Sequence, residues 1–304
     1  MTNFEVLPNI YCIDLDQKMT GFRSFINSWV YKTNELVFLV DPGPKHTIEV
    51  LIEALKKIGI QKIDYILLTH IHIDHAGAAG RLSREYPEAV VICHPKGIEH
   101  MINPEKLWKG SLKVLGEIAE SYGEIIPVDP EKIIFKESIE TSSGIINAVE
   151  TPGHAIHHLS FHFNEYLFAG EVAGVHYRQP GFTYTRPATP PQFKLEISID
   201  SLDKAIRLGP EIIFFGHYGF RTDAMDAMKE ARSQLLLWVE VVKDQMSRGE
   251  DTIDQRIVNE LLERDLAFSN LKLLDEDIQQ RENYFVGNSI NGIKEYVLRI
   301  AKPE

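Results

Sequence analysis

The chain has 304 residues, 44% of them hydrophobic, which provides for a packed core and about two domains at ~150 residues each, and excludes a disordered chain or a small stapled scaffold. Its net charge of −12 repels phosphate backbones and anionic membrane surfaces, which argues against nucleic acid as a partner. Cys12 and Cys93 form no CxxC pattern, the start lacks a leader-like segment, and the apolar run 235–242 is far short of the ~18 residues of a membrane span, so a cytoplasmic protein with reduced thiols is expected.

In chain order, the β-rich runs 10–13, 29–31 and 36–40, parted by polar turns such as Thr33-Asn34, predict antiparallel strands. Asp41-Pro42-Gly43-Pro44 ends the last of them. Ile48, Leu51, Leu55 and Ile58 then recur at helical spacing, and the apolar run 63–68 predicts a buried strand delivering Thr69-His70 at its carboxyl end. A helix start at 76–80, a strand at 90–93 and a helix with Leu112, Leu115, Ile118 and Tyr122 on one face continue an α/β alternation. A second strand group is expected at 133–135, 145–149, 160–163 and 166–169, the last two joined through Asn164-Glu165. Residues 174–193 mix Pro180, Gly181, Pro187, Pro190 and Pro191 with His176, Tyr177, Phe182, Tyr184 and Phe193, and predict a long functional loop. A helix at 195–208 and a strand at 212–215 complete the α/β part. From Thr222 onward the periodicity is helical, with Met225, Met228, Leu235, Val239, Val242 and Met246 on one face. The expected units are a catalytic domain over 1–221 and a helical extension over 222–304 acting as lid or substrate wall.

The segment Thr69-His70-Ile71-His72-Ile73-Asp74-His75 packs three imidazoles and a carboxylate directly behind a buried strand. Residues two apart in an extended segment share a side, so His70 and His72 can grip one cation while the turn into a helix aims Asp74 and His75 at a second. Such donors suit zinc, iron or manganese, whereas calcium and magnesium prefer oxygen shells. Thr151-Pro152-Gly153-His154, Ala169-Gly170-Glu171 and Phe214-Phe215-Gly216-His217 each place one further potential ligand at a strand's carboxyl edge.

Taken together, these motifs resemble the metallo-β-lactamase superfamily, in its glyoxalase-II-like branch, over residues 1 to about 217. The resemblance implies an α/β fold, a four-layer αββα sandwich, here with a C-terminal helical tail. It implies that His70, His72 and His154 hold one metal, that Asp74, His75 and His217 hold a second, and that Asp41 supports the site from a strand-end turn. The family normally bridges both metals with an Asp where this chain has Glu171, whose extra methylene must fold back to do the same. Two divalent cations are implied, zinc foremost with iron or manganese as options. Such a pair makes hydroxide from water near neutral pH, so the implied reaction is hydrolysis of a small-molecule ester-like bond, a thioester or lactone, with Asp74 orienting the nucleophile. No GxSxG elbow or phosphate-binding loop competes. The family's glutathione thioesterases carry a Lys and a Tyr after the fourth motif, whereas this loop carries Arg178, Pro180, Phe182 and Tyr184, which weakens that assignment; the apolar-faced helices from Thr222 to Ile300 are expected to roof the site and offer an acyl pocket. His176, Tyr177, Arg178 and Tyr184 are the expected substrate contacts. Two other readings stay open: a mononuclear-iron dioxygenase of the same fold using His70, His72 and His154, and a ligand-binding regulatory protein whose catalysis is weakened at Glu171. The sequence leaves the oligomeric state open.

Overall fold

The structure, a computed structural model, describes residues 3–249 and 251–301. Two sheets lie face to face. The first runs in spatial order β1 (Asn3–Leu7), β2 (Ile10–Asp14), β3 (Asn27–Lys32), β4 (Val37–Val40), β5 (Tyr65–Leu67), β6 (Val90–Ile92) and β7 (Ile133–Ile134). It is antiparallel as far as β4 and parallel from there on. The second holds β8 (Ser138–Thr141), β9 (Gly144–Glu150), β10 (Leu159–Phe163) and β11 (Tyr166–Gly170). The chain then leaves for a separate hairpin, β12 (Val175–Gln179) and β13 (Phe182–Arg186), and returns as β14 (Ile212–Phe215) parallel to β11, with β15 (Phe220–Arg221) at the edge.

Strand side chains alternate between faces, and the core follows that alternation. Phe38 and Val40 of β4 and Phe214 of β14 point between the sheets, where they meet Trp29, Phe161 and Phe168. Their neighbour Leu39 packs outward against α1 (Ile48–Lys57), through Leu51 and Leu55, in the same cluster as Ala76 of α2 (Ile73–Ala76) and Leu82 of α3 (Ala79–Glu85). That layer also takes Met101 of α4 (Pro95–Ile102), with α5 (Glu105–Leu115) and α6 (Glu117–Tyr122) beside it. On the other side, Ile213 and Phe215 pack outward against Leu202 of α7 (Leu195–Arg207) and Met228, Leu235 and Trp238 of α8 (Ala224–Ser247). The same cluster continues through α9 (Ile253–Arg264), α10 (Leu266–Ser269) and α11 (Glu276–Ile300), with Ile257, Phe268, Ile290 and Ile293 buried in it. The predicted αββα sandwich is therefore present, and the helices after Thr222 share one core with the second sheet.

Three local expectations change. Residues 133–134 join the first sheet, because Ile133 and Ile134 extend the parallel ladder from Val91 and Ile92. Strands β1 and β8 carried no sequence expectation. The helix expected through 112–122 is broken at Gly116, whose φ of 54° interrupts the α-helical path between α5 and α6. The long Pro-aromatic loop contains the β12–β13 hairpin: Pro180 and Gly181 form its two-residue turn between the paired Gln179 and Phe182, and the other prolines fall beyond Arg186.

Candidate metal centre

Five strand ends converge on one rim of the sandwich. Asp41 follows β4, the segment 69–75 follows β5, His154 follows β9, Glu171 follows β11 and His217 follows β14. His70 Nε2 and His154 Nε2 each lie 3.0 Å from His72 Nδ1. The Glu171 carboxylate closes this group, its Oε2 being 2.9 Å from His154 Nε2 and 3.3 Å from His70 Nε2. Asp74, His75 and His217 form a second group, with Asp74 Oδ2 3.7 Å from His75 Nε2 and 3.6 Å from His217 Nε2. In each group the donor atoms lie within 4.8 Å of one another, the spacing expected of side chains that share one cation. Glu171 also belongs to the second group by distance: Oε2 is 3.5 Å from His75 Nε2 and Oε1 is 3.5 Å from His217 Nε2. One carboxylate thus spans both sets, and the extra methylene is accommodated.

The backbone explains how. Gly170 has φ 56°, and a Cβ there would meet His158 Nε2 at 2.5 Å, so the strand end turns flush against that imidazole. His158 Nε2 then accepts a hydrogen bond from the Glu171 amide at 3.0 Å while its Nδ1 pairs with Thr151 Oγ1 at 2.9 Å. That bond to the Glu171 backbone fixes the fourth-motif turn, a role that no spacing in the sequence marks.

The ring nitrogens facing away from the centre are also held, which sets tautomers and aims the donor atoms. His217 Nδ1 donates to the Phe25 carbonyl at 3.2 Å, and His154 Nδ1 to that of Ala188 at 3.2 Å. Asp41 is the hub of the rest. Its Oδ1 accepts from the Thr69 amide at 2.8 Å, while Oδ2 accepts from Thr69 Oγ1 at 2.6 Å and lies 3.0 Å from His75 Nδ1. Asp41 adopts a left-handed φ of 54°, a strained setting for a side-chain-bearing residue that the three contacts hold in place. Asp41→Asn replaces an acceptor of two of these bonds with an amide. The expected result is a 10- to 100-fold loss of metal affinity, of order-of-magnitude size for outer ligand support, read by titration against a chromogenic chelator.

Electrostatics favour a cation at this place. Burial, reinforced by neighbouring imidazoles, holds His70 and His72 well below the usual histidine range, in the neutral form that carries a lone pair. Burial would push the Glu171 carboxyl up, but the imidazoles of His154 and His217 outweigh it and hold the group well below the usual carboxylate range. His75 is opposite: burial opposes its charge, yet Asp74, Asp41 and Glu171 raise it well above the usual range. Its Nε2 is nevertheless buried with no hydrogen-bond partner among the described residues. An orphaned ring nitrogen facing two carboxylates is what a metal ligand looks like before the ion is added, so the donor set fits divalent metal.

A cavity of about 940 Å³ opens over the centre, with His72, Asp74, His154, Glu171 and His217 in its floor. Its walls are mainly apolar, from Ile71 and Ile73, from Leu107 and Leu115 of α5, and from Phe285 of α11. Helix α11 thus lines the cavity beside α5, the Tyr284 hydroxyl donating to the Val114 carbonyl between them. The four loop residues expected to touch substrate do not line the cavity. His176 is buried, stacked 4.4 Å from Phe215 and bonded by Nδ1 to the Tyr218 carbonyl. Tyr177 and Tyr184 alternate into the core against the tail helices, and Arg178 points to solvent from the hairpin's other face. Hairpin alternation places all four outside the cavity lining. Cys93 is buried, and burial pushes its thiol up to about 12, which leaves it inert as a nucleophile.

A sequence profile of the metallo-beta-lactamase superfamily matches residues 21–217. The chain belongs to that superfamily. An archaeal relative, the metallo-beta-lactamase fold-containing protein ST1585 of Sulfurisphaera tokodaii, is 31% identical over 185 residues, 58% of this chain and 68% of that protein. The crystal structure of ST1585 from Sulfolobus tokodaii aligns with a TM-score of 0.70 at 23% identity, over 94% of this chain and 98% of that one, so the likeness in fold extends into the helical tail. Hydroxyacylglutathione hydrolase of Stenotrophomonas maltophilia is 24% identical over 157 residues, 51% of this chain and 49% of that enzyme. Among the described residues no helix is long and apolar enough to cross a membrane.

Proposed function

We propose that this protein is a dinuclear metallohydrolase that cleaves small-molecule thioesters or lactones. The observation that carries the reading is the Glu171 carboxylate, which lies within 3.5 Å of imidazoles from both donor groups. His70, His72 and His154 would hold one divalent ion and Asp74, His75 and His217 the other, zinc being the expected metal, with Glu171 shared between them. Paired cations of this kind acidify water and polarise a carbonyl oxygen. The chain's own groups do the rest. Asp74 accepts a hydrogen bond from the attacking water and orients it, Asp41 keeps His75 in register, and the apolar walls of the cavity exclude bulk solvent and take up an acyl chain. The hydroxyacylglutathione hydrolase relatives favour a thioester, and the cavity lining favours an acyl group over a polymeric phosphodiester. The unpaired thiols Cys12 and Cys93 suit a cytoplasmic setting.

Elemental analysis of protein purified without chelator, followed by turnover assays on matched thioesters, lactones and phosphodiesters, tests this. Two metals per chain and preference for a thioester or lactone are expected. One iron per chain, with oxygen consumption in place of hydrolysis, would replace this reading with the mononuclear dioxygenase.

A further inference from the structure

Helix α11 supplies neither donor group with a ligand, yet it grips the two segments on which an imidazole of each group rests. The first segment is the loop between β2 and β3, residues 15–26. Its Phe25, 2% exposed, supports His217 twice: the carbonyl accepts from His217 Nδ1 at 3.2 Å, and the ring stacks on the imidazole with 4.3 Å between centroids. These contacts set the tautomer and tilt of the imidazole, and so the line along which Nε2 faces a cation. Arg281 of α11 holds Phe25 in turn. Its guanidinium carbon lies 4.0 Å from the centroid of the same ring, and its Nη1 donates to the Gly21 carbonyl at 2.7 Å. The guanidinium is aimed by buried Glu282, whose Oε1 accepts from Arg281 Nε at 3.0 Å. Gly21 has φ 81°, and a Cβ there would meet the Asp277 carbonyl oxygen at 2.2 Å, so the loop backbone lies flush on the helix.

The second segment is 187–189, directly after β13. The Ala188 carbonyl accepts from His154 Nδ1 at 3.2 Å, and Ser289 of α11 clasps the residues on either side of it. Ser289 Oγ donates to the Pro187 carbonyl at 3.1 Å, while the Ser289 carbonyl accepts from Thr189 Oγ1 at 3.0 Å. Ser289 and Thr189 are both buried. A Cβ on Gly292, about one turn along, would meet the Thr189 carbonyl oxygen at 2.0 Å, so this segment too is pressed onto the helix. Buried hydrogen bonds to a backbone fix it more firmly than apolar contact does, because breaking one leaves a carbonyl with neither partner nor water.

We propose that α11 positions one ligand at each metal: Arg281, through Phe25, aims His217 at the second cation, and Ser289, through Ala188, aims His154 at the first. The assignment rests on the dinuclear reading of the donor groups. The helical tail is then part of the metal centre's support as well as a wall of the cavity, and the two ends of its contact surface act on different ions. Arg281 and Ser289 are positioning residues, since each acts on its imidazole through intervening backbone. An apolar side chain at 281 would cover Phe25 without desolvating a charge, so what the position uses is the planar stack and the directed N–H groups of a guanidinium.

Zinc titration of the full chain against a chromogenic chelator tests this, with His217→Ala and His154→Ala identifying which of the two binding constants belongs to which donor group. Arg281→Met is expected to weaken the constant that His217→Ala abolishes by about tenfold and to leave the other within about twofold. Ser289→Ala, and Gly292→Ala, whose Cβ displaces Thr189, are expected to do the reverse, with a loss of about fivefold or more in the constant that His154→Ala abolishes. The loss at Arg281 should be non-additive with Phe25→Leu, because both substitutions break one chain of contacts. If Arg281→Met does not fold, Arg281→Lys, which keeps the charge beside Glu282 but not the planar stack, carries that arm. A merely structural role for α11 would lower Tm and weaken both constants alike in every variant, and that result would overturn the proposal. A selective effect at one end of the helix alone would overturn the claim that α11 serves both ions. Wild-type protein that takes up a single zinc overturns the dinuclear reading and the Arg281 arm with it. Two zincs whose affinities ignore all of these α11 variants overturn the present proposal and leave the dinuclear reading standing.

Discussion

An Asp74→Asn variant is expected to lose about a hundredfold or more in kcat on the best substrate while KM changes little. Asp74 lines the cavity and keeps 16% side-chain exposure, against 6% or less for Glu171, His75 and His217 around it. It is therefore the member of the second donor group best placed to face both the metal position and an incoming water. One carboxylate oxygen lies between His75 and His217, leaving the other as an acceptor for the nucleophile's hydrogen. Asn preserves the volume but replaces one acceptor with a donor and removes the charge. The nucleophile would be held in the wrong direction and the second cation more weakly, both of which matter in the transition state. On the proposed reading, ground-state binding would rest instead on the apolar walls from α5 and α11, which the substitution leaves alone. Steady-state kinetics on metal-saturated protein would check this. An unchanged kcat would remove Asp74 from the mechanism and favour chemistry at the His70, His72 and His154 group.

The donor residues were legible in the sequence because each is tied to a strong local signal. His70, His72, Asp74 and His75 follow a short apolar run too hydrophobic to be anything but a buried strand, and His154, Glu171 and His217 each follow a Gly at a strand's carboxyl edge. Local periodicity also gave β2 to β6, α1 and α7. What it could not give was pairing between distant segments. Ile133 and Ile134 read equally well as part of either sheet, and only the parallel register with β6 places them. The hairpin at 175–186 was hidden by its prolines, which punctuate the strands from outside yet make the whole stretch look irregular. The same hairpin explains why the four expected substrate contacts, His176, Tyr177, Arg178 and Tyr184, do not line the cavity. Once strand alternation applies, Tyr177 and Tyr184 turn into the core, and Arg186, on their face of the hairpin, is the residue that reaches the cavity wall. Its anchor Glu282 lies 96 positions away, so no window along the chain could have joined the two.

On the dinuclear reading proposed above, Glu171→Gln is expected to lower metal content from two ions per chain towards one and to reduce turnover by about a hundredfold or more. The amide has the size of the carboxylate, but it lacks the charge that offsets repulsion between two close cations. Elemental analysis after dialysis and titration against a chelator would measure the first effect, and kinetics on metal-saturated protein the second. Glu171→Asp is the sharper test, because it restores the residue that the family normally has at this position. The Asp carboxylate would sit one C–C bond, ~1.5 Å, further back. Contacts that now span 2.9 Å to His154 and 3.5 Å to His217 would lengthen unless the backbone advanced. The backbone is not free to do so, since His158 binds the Glu171 amide and Gly170 is pressed against the same imidazole. Asp is therefore expected to do worse than Glu in this chain, with metal occupancy between that of wild type and Glu171→Gln and with turnover reduced by at least about tenfold. Full occupancy and full turnover in Glu171→Asp would show that the strand end can move to follow a shorter side chain, and that the reach of Glu171 is not what holds the two donor groups together.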